Sequence, residues 1–101
     1  MSKEELKKQI QADIREVPFI ESIKRLSLFG SHLNGQARQD SDIDLLIEFE
    51  PTANIGFFEL ARIQRALESF LGRVVDLLTP NSLSRYFRDE VLSSCEIIYG
   101  K

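Results

Sequence analysis

Apolar residues along this chain switch between two periods, and each switch marks a change of element. Leu6, Ile10, Ile14 and Val17 recur at helical spacing until Pro18, and Ser2 with Glu5 makes a capping-box pattern, so a helix is predicted over 2–16. The opposite face, with Lys3, Lys7, Lys8 and Arg15, is expected to be solvated. Residues 24–29 read as a strand ending at Gly30. The polar stretch 31–41 holds His32, Asn34, Gly35, Arg38, Asp40 and Ser41 and reads as a loop, with Asn34-Gly35 as a tight turn. A second strand is predicted over 42–49, closed by Glu50-Pro51.

Phe57, Leu60, Ile63, Leu67, Phe70 and Leu71 then form one helical stripe that Gly72 stops, which predicts a helix over 57–71 with at least one of Phe57 and Phe58 in the core. Residues 73–79 are β-rich and bounded by Gly72 and Pro80, hence a third strand. Asn81 or Ser82 is expected to cap a helix running to about Ser94, and a last strand covers Glu96 to Tyr99. The order predicts an α+β (mixed α/β) fold, a mixed sheet of about four strands packed against helices.

With 101 residues, 43% apolar and 29% charged, the chain is expected to form a single domain spanning 1–101. The net charge of -3, with scattered basic residues, argues against direct nucleic-acid binding. The single cysteine, Cys95, has no internal disulfide partner and reads as a small buried hydrophobe. No apolar amino-terminal segment suggests a leader or a membrane span, so a cytoplasmic setting is expected.

The candidate chemistry lies between the first two strands. Alternation puts Asp42 and Asp44 on one face of the second strand, while Ile43, Leu45, Ile47 and Phe49 line the other. Gly30 lets a phosphate approach the backbone, and Ser31 adds a hydroxyl and an amide donor. Asp76 is a further acid set in an apolar strand, and if the second and third strands are neighbours, three carboxylates converge. Such a cluster needs a compensating cation. Magnesium suits it, and two ions roughly 3.5 to 4 Å apart can stabilise the attacking and leaving oxygens of a phosphoryl displacement. The expected catalytic and metal-binding residues are Asp42, Asp44 and Asp76, with Gly30, Ser31 and Arg38 on the triphosphate. The bland alternative is that Asp42 ends a turn and Asp44 pairs with an arginine, which leaves Asp76 unexplained.

Phe29-Gly30-Ser31, the run from Gln36 through Asp42-Ile43-Asp44-Leu45-Leu46, Leu60-Ala61-Arg62 and Val75-Asp76-Leu77-Leu78-Thr79-Pro80 resemble the minimal nucleotidyltransferases. These are the MNT or MntA-like antitoxins of the DNA polymerase β-like nucleotidyltransferase superfamily. The resemblance covers nearly the whole chain. It implies an enzyme that transfers AMP from ATP to a tyrosine of a helical HEPN-domain toxin and so silences it. One departure is Asn34, where many relatives carry arginine before the second glycine, which removes a charge-assisted contact to the triphosphate.

Two other readings compete. An idle nucleotidyltransferase fold can mask a toxin by binding alone, and a glycosyltransferase can use Asp-x-Asp on a sugar nucleotide, although this chain is short for the latter. A chain of this length leaves the acceptor site to a partner polypeptide or to a homodimer. His32 reads as a loop residue, Glu48 and Glu50 as exposed edge charges, and Tyr86 and Tyr99 as core or interface residues.

Overall fold

A computed structural model of the chain describes residues 3–30, 42–86 and 88–100. The amphipathic start forms α1, Lys3–Asp13, which tightens into a 3-10 turn over Ile14–Glu16 and ends at Val17, extended because Pro18 follows. Ser2, and with it the predicted capping box, lies outside the described residues. The polar face of α1 is not merely solvated. Lys3 Nζ stands 3.4 Å from Glu96 Oε1 and Lys7 Nζ 3.1 Å from Glu96 Oε2. The lysines, Lys7 foremost, hold the Glu96 carboxyl below its usual range.

Among the described residues, four strands form one sheet: β1 (Ile23–Phe29), β2 (Ile43–Phe49), β3 (Val75–Leu78) and β4 (Glu96–Gly100), in the spatial order β3-β2-β1-β4. β1 is antiparallel to both neighbours, whereas β2 and β3 are parallel and joined through α2, Phe57–Leu71. A parallel pair needs such a crossover, and α2 supplies it. Alternation sends Ile43, Leu45, Ile47, Val75 and Leu77 into the core shared with Leu6, Ile10, Ile63 and Leu67. Cutting Leu67, only 1% exposed, back to alanine is expected to cost about 2–5 kcal/mol in urea unfolding, and a loss below about 1 kcal/mol would contradict this packing.

Local chemistry sets the ends of α2. The Gly56 N–H donates to the Glu59 carboxylate at 3.0 Å, and Gly72, at φ 65°, ends the helix by donating its N–H to the Glu68 carbonyl. Ile63, Leu67 and Leu71 are buried, but Phe57 and Phe58 are 80% and 82% exposed, so neither ring enters the core. The buried stripe begins one turn later, and the first turn of the helix lies past it.

A single helix over 82–94 does not form. Instead Pro80–Ser82 makes a 3-10 turn, closed by Thr79 N–H donating to Ser82 Oγ at 3.0 Å and by that hydroxyl donating to the Thr79 carbonyl at 2.7 Å. Serine side chains that bond nearby backbone favour turns over helix. Leu83 is buried, its carbonyl accepts from Arg88 Nη2 at 3.1 Å, and α3 spans only Arg88–Ser94.

Three smaller expectations also change. Glu48 is no edge charge: it lies on the inner strand β2, half-buried and 3.2 Å from Arg25 Nη1. Cys95 is half-exposed rather than buried. Tyr86 is 86% exposed on a turn, while Tyr99 packs against the core. Among the described residues, no helix is long and apolar enough to cross a membrane.

Candidate functional site

β1 ends at Phe29, which pairs with Asp44 across the antiparallel ladder, and the next residue, Gly30, turns the chain at φ 80°. A Cβ on Gly30 would stand less than 3.0 Å from Asp44 Oδ2, 3.0 Å from its Cγ and 3.2 Å from its Cβ. The glycine is therefore required twice, by its left-handed backbone and by the carboxylate lying against its Cα. The sequence suggested the strand end and the phosphate approach at this glycine, but not its contact with Asp44.

On the other side of β2 the parallel ladder pairs Asp44 with Asp76, which places the two on the same face of the sheet. Asp42 precedes β2 by one residue and is exposed. Burial raises the Asp44 pKa from its ordinary value, and the charges of Asp76 and Asp42 raise it further. Asp76 thus stands with Asp44 and not across the sheet. Lys3, Lys7 and Arg25 are engaged with Glu96 and Glu48 instead. Ser31, Arg38, His32, Asn34 and Gly35 lie outside the described residues.

Among the described residues, no three acidic, histidine or cysteine side chains stand in metal-holding geometry. The donor set still suits a hard divalent cation. Its donors are carboxylate oxygens, and a positive charge beside them would offset both the burial of Asp44 and the repulsion from Asp76 and Asp42. With phosphate oxygens as further ligands, Asp44 and Asp76 can anchor such an ion between protein and nucleotide.

Two features escaped the sequence pattern. Leu46 shares the face of Asp44 and yet is fully buried, as is its cross-strand partner Ser27, so this face is not open along its whole length. The Pro80–Ser82 turn packs against β2. Gln64 and Glu68 of α2 bind the backbone of Val75, the residue before Asp76; their only sequence signal is a spacing of four on a helix. A groove of about 330 Å³ lined by Ile47, Glu48, Phe49, Thr79, Pro80 and Asn81 lies at the far ends of β2 and β3 and contains none of the three acids.

The family model described as "Nucleotidyltransferase domain" matches residues 3–98. Protein adenylyltransferase MntA of Thermococcus cleftensis is 30% identical over 96 residues, 95% of this chain and 93% of the relative. A solved structure described as a candidate minimal nucleotidyltransferase is 34% identical, with TM-score 0.76 and 94% of each chain covered. A Shewanella oneidensis structure, a tri-AMPylated HEPN toxin in complex with MNT antitoxin, shares the fold at TM-score 0.67 and 19% identity, covering 98% of this chain and 73% of that one.

Proposed function

This chain belongs to the nucleotidyltransferase domain family, as a minimal member and an enzyme of that class, and from that premise we propose that it moves AMP from ATP to a tyrosine of a HEPN-type toxin, acting as its antitoxin. The observation that carries the reading is the register that sets Asp44 beside Asp76, with Gly30 against the Asp44 carboxylate. The MntA relative and the AMP-bearing toxin complex support AMP transfer and a toxin partner.

In the proposed reaction the tyrosine oxygen attacks the α-phosphorus, a new P–O bond forms, and the bond to pyrophosphate breaks. Asp76, the more exposed of the paired acids, takes the phenolic proton or passes it to water. Gly30 and Ser31 hold the β and γ phosphates, Arg38 contacts the triphosphate, and Asp42 and Asp44 face the phosphate chain. Mg²⁺, as two ions held by Asp42, Asp44 and Asp76, supplies charge neutralisation at the phosphoryl group when bound. We place the pair in the cytoplasm, with the whole chain acting as one catalytic domain.

The test is co-expression with the product of the adjacent gene, read by intact mass. Mg²⁺-dependent gain of one or more AMP masses on the partner is the expected outcome. A protected host cell with an unmodified partner would support neutralisation by binding alone, for which the exposed Phe57 and Phe58 offer apolar surface.

A further inference from the structure

Among the described residues, β3 is a four-residue strand at the edge of the sheet, bonded to β2 on one side only. Ile43 N–H donates to the Val74 carbonyl at 3.0 Å, so Val74 faces β2, and alternation turns the N–H and C=O of Val75 toward the open edge. A fifth strand would satisfy those two groups. Here α2 does so: Val75 N–H donates to Glu68 Oε2 at 2.9 Å, and Gln64 Nε2 donates to the Val75 carbonyl at 3.0 Å. The acceptor and the donor sit four residues apart on one helix face, so they reach one residue of the strand together. Both chemistries match: a carboxylate only accepts, and an amide NH₂ donates.

Val75 immediately precedes Asp76, and the ladder pairs it with Ile43 while Asp76 pairs with Asp44. Because side chains alternate, a slip of one residue in so short a strand would turn Asp76 into the core and Val75 or Leu77 into the site. We propose that Gln64 and Glu68 are positioning residues that stand in for a missing strand, fix the register of β3 and thereby hold Asp76 beside Asp44. The assignment rests on the AMP-transfer reading for its kinetic consequence, though not for the backbone clamp itself.

Three variants test it: Gln64→Leu, the double variant Gln64→Leu/Glu68→Leu, and Glu68→Gln, which keeps an acceptor oxygen for Val75. The double variant is expected to lose about 10- to 100-fold in kcat, the scale of an ångström-sized displacement in an active site, with a smaller change in KM for ATP. Glu68→Gln should stay near wild type. Amide hydrogen exchange should accelerate at Val75 while amides of β1 and β2 keep their protection, which shows that the fold persists.

Wild-type kcat in the double variant, or a Glu68→Gln variant as impaired as the double one, overturns the proposal. If the double variant does not fold, Gln64→Leu alone carries the same comparison. If wild-type protein transfers no AMP, the function proposed above fails separately, and exchange decides the clamp. Unchanged exchange at Val75 between wild type and variant would then refute it, and faster exchange would uphold it.

Discussion

Asp44→Asn is expected to reduce AMP transfer by on the order of 10³-fold, the scale of losing one electrostatic stabiliser of a charged transition state, while making the folded protein more stable. The two effects share a cause. Burial and the charges of Asp76 and Asp42 raise the Asp44 pKa, so at neutral pH the folded state holds a carboxylate that would be better solvated in the unfolded chain. A neutral amide of the same shape removes that penalty.

The sign with pH follows from the direction of the shift. Folded Asp44 binds its proton at higher pH than the unfolded group does, so its unfavourable contribution is complete above the folded pKa. It fades as pH falls and is absent once pH lies below the unfolded value of 3.8. Urea unfolding should therefore show Asp44→Asn above wild type at pH 7 and level with it in acid below that value. Added Mg²⁺ should raise the wild-type midpoint more than that of the variant. A variant less stable than wild type at pH 7 would contradict the strained-site account.

Gly30→Ala is expected to cost activity more than stability. The left-handed backbone costs a non-glycine residue about 1–2 kcal/mol, a modest loss for the fold. The new methyl, however, would overlap the Asp44 carboxylate, and the short side chain relieves the overlap by rotating away from its position beside Asp76. A displacement of that size lowers turnover by about 10²-fold. Steady-state AMP transfer and urea unfolding on the same preparation read both quantities.

An Asp44→Ala background adds a further test. Only the Asp44 Cβ, 3.2 Å from the added methyl, remains there, so the stability cost of Gly30→Ala should shrink toward that of the backbone alone. Transfer at the wild-type rate in the single variant would show that Asp44 need not stay where the structure puts it.

These two residues also show what was legible beforehand. Asp42 and Asp44 share a face by period-two alternation, a local property, and Gly30 announces a turn in any sequence. Its apposition to Asp44 comes from the pairing of Phe29 with Asp44, a contact between segments fifteen residues apart that no local pattern encodes. The stretch after Pro80 shows the reverse: helix propensity was outweighed by serine hydroxyls bonding their own backbone and by the burial of Leu83, so among the described residues α3 covers Arg88–Ser94 and not the whole stretch.

The amino-acid order by itself determined the four strands, the first two helices, the buried stripe of α2 beyond its first turn, and the residue types able to serve phosphate and a hard cation, because side-chain periodicity and chemical identity are local. Only the tertiary structure decided that β3 lies parallel to β2 in the register that brings Asp76 to Asp44, that Leu46 and Ser27 are covered, and that Gln64 and Glu68 close the open edge. Strand pairing joins distant segments through backbone groups that all residues share, so its register is set by how the whole core packs and not by any one stretch of the chain.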